Sequence, residues 1–342
     1  MRVLVLGGRG FLGRHVASAL AARGHRVAVG SRRGGHADAN GQAAPSRCVR
    51  FERLAAPRAW DEVLAGADAV VNCVGILRER GGATYERVHH LAPAALAADC
   101  ARLRLRLVHV SALGLDPGAR SGFIASKLRG EAAIRESGAD YTIVRPSLLD
   151  GEGGFGARWL RALARFPVHC VPADADGRIA VLAVEDAGTA IGRLCELRGS
   201  EVREAELGGP EWCTLSEYMA ALRALSCRRT AYVVRMPAPL ARLASHLCDL
   251  VHFSPYSFGH LELLRHDNVP RVNALPWLLG GAPRRVGAPA RQGWPRNSVC
   301  ARSRQPSAER NPRWWKQTDR ASAVNGRVRS TASSTGSGTP TS

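Results

Sequence analysis

Lysine is almost absent from this chain. Of 48 basic residues, 46 are Arg and only Lys127 and Lys316 are Lys. Arg codons dominate G+C-rich genomes, so most of that bias is background, and a Lys kept in the folded part marks a place where Arg would not serve. Paired cysteines are missing too. The nine Cys stand singly, with no C-x-x-C, which speaks against a disulfide framework or zinc finger and for reduced thiols in a cytoplasmic protein. No His, Asp and Glu cluster has metal-ligand spacing, so no metal is expected. The stretch Tyr232–Val251 carries Arg235, Arg242 and His246, so no membrane span is expected. The opening MRVLVLGGRG interrupts its apolar run with glycines, unlike a signal peptide.

The formal charge of +19 is large and invites a nucleic-acid or acidic-membrane reading. Its distribution decides. Residues 283–342 hold eleven Arg and one Lys against Glu309 and Asp319, a balance of +10, which leaves +9 for residues 1–282. That tail has no Leu, Ile, Met or Phe and is rich in Ser, Thr, Pro, Gly and Arg. Such a segment buries too little apolar area to offset its ordering entropy, so it is expected to be disordered. It reads either as a polyanion-binding arm or as an out-of-frame end foreign to the fold. Aromatic-interleaved basic patches occur only there, so nucleic acid is not an expected partner of the folded part.

Across residues 1–282 short apolar runs alternate with amphipathic stretches, the rhythm of βαβ units and a parallel sheet. Strands are expected at Arg2–Leu6, Arg26–Val29, Cys48–Phe51, Ala69–Val74, Leu105–Val110 and Tyr141–Val144. Helices are expected at Phe11–Arg23, Ala59–Ala65, Thr84–Leu103 with a kink at Pro93, and Gly122–Ser137. After Pro146 the rhythm loosens, with helices at Ala157–Phe166, Glu185–Leu197, Leu215–Leu225 and Ala238–Val251 and strands at Arg178–Val184, Glu201–Leu207 and Thr230–Val234. The expected class is α/β: a doubly wound parallel-sheet Rossmann domain over 1–147. A small α/β substrate-side lobe over 148–282 is interleaved with it, and the basic tail follows.

The first strand runs directly into Gly7-Gly8-Arg9-Gly10-Phe11-Leu12-Gly13 and a helix. In G-x-x-G-x-x-G the first glycine permits the tight turn, the second lets a pyrophosphate approach the backbone, and the third lets helix and strand pack closely. The helix N-terminus offers free N–H groups to phosphate. Gly7, Gly10, Phe11, Leu12 and Gly13 are therefore candidate cofactor-binding residues. At the end of the second strand, where an acidic residue would hold the ribose hydroxyl of NAD, the chain has Gly30-Ser31-Arg32-Arg33. Ser31, Arg32 and Arg33 suit a 2′-phosphate, which favours NADP(H) over NAD(H). Val74 and Gly75 follow the fourth strand and should line the cofactor.

GGRGFLG at 7–13, VVNCVGIL at 70–77, RLVHVSALG at 106–114, SK with GE at 126–131 and TIVRPS at 142–147 together resemble the short-chain dehydrogenase/reductase superfamily. More closely, with FSPYSFGHLELLRHDNVPRVNALPWLLG at 253–280, they resemble its atypical branch related to the nucleotide-binding accessory subunit of respiratory complex I. The resemblance implies a Ser that orients the substrate carbonyl, a Tyr that moves the proton, and a Lys four residues on that holds the ribose. Carried over, these are Ser111, Phe123 in the Tyr slot, and Lys127. It also places Arg145-Pro146-Ser147 near the nicotinamide, with Pro146 a cofactor contact, although a strand ending at a proline turn explains them as well. A phenyl ring cannot transfer a proton. The chain is therefore either an oxidoreductase on a carbonyl or quinone-type substrate, with Lys127, Ser111 or water supplying the proton, or a non-catalytic NADP(H)-binding sensing or assembly protein. The resemblance also allows respiratory-chain or peripheral membrane association. His89 and His90 on the long helix read as surface or packing residues.

Overall fold

The computed structural model describes residues 1–32, 46–226, 229–251 and 257–286. The chain runs β1 (Arg2–Leu6), α1 (Phe11–Ala22), β2 (Arg26–Ser31), β3 (Ser46–Cys48), α2 (Asp61–Leu64), β4 (Ala69–Asn72), α3 (Ala92–Leu103), β5 (Arg106–Val110), α4 (Gly122–Glu136) and β6 (Asp140–Pro146). It continues through β7 (Leu149–Asp150), α5 (Phe155–Ala164), β8 (Val168–Pro172), β9 (Leu182–Ala183), α6 (Val184–Glu196), β10 (Glu204–Leu207), α7 (Leu215–Ala224), β11 (Tyr232–Met236), α8 (Ala238–Val251), α9 (Phe258–Arg265) and α10 (Leu275–Leu279).

Seven parallel strands form one sheet in the order β10-β6-β5-β4-β1-β2-β3. This is the expected doubly wound Rossmann architecture. The order reverses between β1 and β4, and a crevice opens beyond the carboxyl ends of strands at such a point. The central strands are buried on both faces: Val3 to Leu6 and Ala69 to Val71 have almost no exposed surface. Continuous apolar runs, rather than alternation, are the signature of that environment. β10 joins the main sheet beside β6, while β8 with β11 and β7 with β9 form separate two-stranded sheets.

α1 packs on α6, and α3 packs on α4. Alternating residues of β5 serve the two sides: Arg106 donates to the Leu194 carbonyl of α6 at 3.2 Å, whereas Leu107 joins the core cluster that holds Leu96 and Cys100 of α3 and Ile134 of α4. Gly130 lets α4 touch the segment before α3; a Cβ there would lie 2.0 Å from the His89 carbonyl oxygen.

Some expected elements change form. The helix expected over Thr84–Leu103 begins as a π-helical segment, Glu86–Leu91, and Pro93 falls in the first turn of α3 rather than at a kink. Proline cannot donate to the preceding turn, and the wider winding accommodates it. The third strand is Ser46–Cys48, and Phe51–Arg53 is a 3-10 turn. The strand expected over Arg178–Val184 shortens to Leu182–Ala183 because Ile179 instead bridges Cys213 and Asn268. β7, β8, α9 and α10 were not expected. The first residues placed in the tail are stitched to the body: Arg284 bonds Asp186 at 3.2 Å, Arg285 bonds Glu211 at 3.1 Å, and Val286 packs on a core cluster. The rest of the tail lies outside the described residues.

Two carboxylates and two guanidiniums lock α4 to the sheet edge. Arg145 Nε donates to Glu131 at 2.9 Å and its Nη1 to Glu204 at 2.8 Å. Arg135 closes the ring, donating to Glu131 at 2.9 Å and to Glu204 at 2.8 Å. Burial pushes the Glu131 carboxyl up, but Arg145, the Ser111 hydroxyl and Arg135 outweigh it and hold the group below the ordinary carboxylate range. A carboxyl lowered on folding stabilises the native state above its unfolded pKa, and that stabilisation fades as pH falls through the lowered one. Glu131→Gln keeps the shape and removes the charge, so urea denaturation at neutral pH should show a loss of about 3 kcal/mol. The variant should also lose part of the wild-type acid sensitivity. A loss under about 0.5 kcal/mol, as for a solvated surface pair, would contradict this.

Candidate nucleotide-binding and reaction site

The glycine loop closes on itself at the carboxyl end of β1. Gly7 has φ +72°, its N–H donates to the Gly30 carbonyl at 2.8 Å, and its own carbonyl accepts from Gly10 N–H at 2.8 Å. A Cβ at Gly13 would sit 2.2 Å from that same carbonyl oxygen, so only glycine allows α1 to start this close to β1. Gly10 is the N-cap of α1, and no side chain caps the helix. Its first N–H groups are thus presented by an uncapped helix N-terminus, the arrangement that receives phosphate. Gly8, passed over in sequence, is required as well: a Cβ there would lie 2.7 Å from Val29.

Phe11 and Leu12 are half-buried in the first turn of α1. The Phe11 ring turns away under the GEGGFG segment, where a Cβ at Gly154 would meet it at 2.8 Å. Arg14 stacks over the same ring at 5.8 Å and bonds the Glu152 carbonyl. The glycine cluster after β7 is therefore the seat for Phe11, a role its sequence did not disclose.

Ser31 ends β2, and the exposed Arg32 follows it. Arg33 lies outside the described residues. Across the reversal point, a Cβ at Gly7 would meet the Cys73 backbone at 3.2 Å and Val74 Cγ2 at 3.3 Å, so Val74 borders the glycine loop. Val74 N–H donates to Asn72 Oδ1 at 3.0 Å, which directs Asn72 Nδ2 to His109 Nδ1, also at 3.0 Å. Gly75 adjoins His89: a Cβ there would lie 3.8 Å from its Nε2.

Ser111 and Lys127 mark the other end. Ser111 follows β5, its N–H donating to the Val144 carbonyl at 2.7 Å, and its buried hydroxyl faces the Glu131 carboxylate, which it helps to hold low. The Lys127 Nζ lies 5.5 Å from the Phe123 ring centroid. Burial pushes its ammonium down to about 8, against the attraction of Glu131.

Phe123 is enclosed by Tyr85 at 5.7 Å, His89 at 5.3 Å and His260 at 5.5 Å between ring centroids. His89 accepts from Ile76 N–H at 3.1 Å and bonds Ser126 Oγ at 3.2 Å, and that hydroxyl donates to the Phe123 carbonyl at 3.0 Å. The imidazole is thus satisfied and held neutral by burial, in the packing role expected of it. Tyr85 gives its phenol proton to the Leu77 carbonyl at 2.9 Å, and burial pushes its pKa up to about 12. It is a poor acid at neutral pH.

Arg145 and Ser147 are engaged elsewhere. Arg145 belongs to the Glu131–Glu204 ring, and Ser147 Oγ donates to the Asn268 carbonyl at 2.6 Å. Pro146 ends β6, buried, with its carbonyl taken by Leu113 N–H at 3.0 Å. All three residues thus have partners within the fold at the end of β6. Tyr85, His109 and His260 escaped sequence reading because they come from three distant elements, and only the fold brings them together. Among the described residues no group of His, Cys, Asp and Glu could hold a metal ion.

Residues 7–171 match the model of an NAD(P)H-binding family. The chain is 29% identical over 306 residues to ceramide reductase of Caulobacter vibrioides, covering 85% of this chain and 90% of that one. It is 26% identical over 269 residues to the 40 kDa subunit of mitochondrial NADH-ubiquinone oxidoreductase of Neurospora crassa, covering 78% and 71%. An NADPH-dependent quinone oxidoreductase of Escherichia coli, solved with NADPH, superposes with a TM-score of 0.64 at 17% identity, covering 83% of this chain and 96% of that one. That likeness shows the fold.

Burial holds His109 down at about 3 and His260 at about 4. The unfolded chain protonates both near pH 6.5 while the native state does not, so stability falls as pH drops from 6.5 toward those values. Each should cost about 1.5 kcal/mol between pH 6.5 and 5. Denaturation at the two pH values measures it. His109→Gln should flatten the slope by about one proton, and equal stability at both pH values would contradict the account.

Proposed function

We propose that this chain, which carries an NAD(P)H-binding domain over residues 7–171, is an NADP(H)-dependent reductase of a carbonyl or quinone-type substrate. The observation that carries the proposal is that Lys127, its ammonium lowered to about 8, and the buried Ser111 hydroxyl both act on the one carboxylate of Glu131. The glycine loop fits a dinucleotide: a side chain at Gly13 would fill the turn, and α1 begins uncapped. When bound, the nicotinamide supplies the hydride. Ser111 then donates a hydrogen bond to the substrate oxygen. Lys127, mostly protonated at neutral pH, holds the ribose and returns a proton to the developing alkoxide in place of the phenol that Phe123 lacks. Arg32 and Arg33 bind the 2′-phosphate. Residues 148–282 form the substrate side. The relative named for ceramide makes a lipid carbonyl the first substrate class to try. We place the protein in the cytoplasm. Among the described residues no helix is long and apolar enough to cross a membrane.

The enclosure of Phe123 by three rings favours a second reading, a non-catalytic NADP(H)-binding assembly or sensing protein. The relative that is a subunit of a respiratory enzyme supports it and would make the respiratory chain the partner.

Calorimetry with NADPH and NADH should show tighter binding of NADPH. Replacing Arg32 and Arg33 by Ala should erase the difference, and an unchanged ratio overturns the 2′-phosphate assignment. NADPH oxidation with ketone and quinone probes should slow above pH 8 as Lys127 loses its proton. Lys127→Met should lower it by roughly a hundredfold or more. If the natural chain turns over nothing and Phe123→Tyr creates activity, the binder reading stands instead.

A further inference from the structure

Arg223 of α7 is buried and bonds to backbone carbonyls. Its Nη1 meets the carbonyls of Ala164, Arg165 and Phe166 at 3.2, 2.7 and 2.9 Å, and its Nε meets that of Arg229 at 2.7 Å. One guanidinium thereby satisfies the open C-terminus of α5 and fixes the turn into β8. On that fixed turn the Phe166 side chain stands 60% exposed. The pairing of β8 with β11 sets Val168 beside Tyr232 and Cys170 beside Val234. All four are exposed, Tyr232 by 81%, while His169 and Val171 turn inward.

α8 shows the same inversion. It turns Ala241 and Ser245 inward and keeps Leu240, Leu243 and Leu247 outward, each more than half exposed. Leucines at i, i+3 and i+7 form one stripe. A helix that merely covers a core presents its large apolar side chains to the core and its small or polar ones to water.

The charge of these segments has one sign. Residues 154–173 and 218–248 contain eight Arg and no Asp or Glu. Arg161 and Arg235 are engaged by Asp150 and Asp176, whereas no acidic partner is seen for Arg158, Arg165, Arg229 or Arg242 among the described residues. Exposed aromatic and leucine side chains interleaved with unneutralised Arg are what an anionic lipid interface receives.

We propose that these exposed surfaces, the Phe166 turn with β8 and β11 and the outer stripe of α8, dock on the surface of an anionic lipid bilayer. The apolar side chains enter the headgroup boundary and the arginines meet lipid phosphates. No span is involved. The proposal does not depend on turnover or on which nucleotide binds.

The test is cosedimentation of the full chain with vesicles of phosphatidylcholine alone or mixed with phosphatidylglycerol. The protein should sediment with the mixed vesicles, weakly with the neutral ones, and less as salt rises. A Phe166→Ser, Leu243→Ser double variant should lose about tenfold in vesicle affinity with unchanged thermal unfolding and NADPH binding. Should that variant fail to fold, Arg165→Glu with Arg242→Glu, at exposed positions, should abolish the preference for anionic vesicles. Absence of binding to the mixed vesicles, or binding that neither variant weakens, overturns the proposal. So does a soluble dimer that the apolar variant converts to monomer, which would make a second copy the occupant.

Discussion

Desolvation of the half-buried Lys127 lowers its ammonium to about 8, and the chemistry of the site depends on that. Its nearest carboxylate influence, Glu131, is already bonded by Arg145 and Arg135. Glu131 therefore supports the cation without forming a closed ion pair with it. Desolvation wins the remaining contest and brings the ammonium to about 8, within reach of physiological proton transfer. Had Glu131 been free, a direct contact would have favoured the charged form. The four-membered ring at the sheet edge thus fastens α4 to β6 and β10, and it also limits how far Lys127 is neutralised.

The opposite end of the crevice is governed by backbone contact rather than charge. Gly7 and Gly13 touch so closely that β1 and α1 form one rigid corner, and the uncapped helix start faces the point where the strand order reverses. Between the two ends lie neutral imidazoles. His89 and His109 are each fixed by bonds to neighbours and kept uncharged by burial. An uncharged lining leaves Lys127 as the cation at the reaction end, and it makes the same region sensitive to acid.

The architecture was legible because its signals are local. Buried parallel strands read as apolar runs, and Gly7, Gly10 and Gly13 at fixed spacing announce a turn that only glycine can make. Lys127 stood out through the scarcity of its kind. What was not legible depended on long-range assembly. The partners of Arg145, Glu131 and Glu204, stand 14 and 59 positions away, and no local pattern announces them. The GEGGFG run is a seat for Phe11, over a hundred positions earlier, and no local pattern records that. The strand expected at Arg178–Val184 broke up because Ile179 found partners in Cys213 and Asn268. The outward leucines of α8 have helical periodicity, and periodicity alone does not say which face meets the core.

The scarcity of lysine permits a direct measurement. The chain has two, Lys127 and Lys316, so selective carbon-13 labelling of lysine gives two side-chain signals whose titration can be followed by NMR, with Lys127→Arg assigning them. The account predicts that the Lys127 signal titrates near 8 and moves on addition of NADPH. A Lys127 signal that titrates at the ordinary value of about 10.4 and is not shifted by NADPH would contradict the claim that Lys127 is the desolvated cation at the reaction end of a nucleotide site.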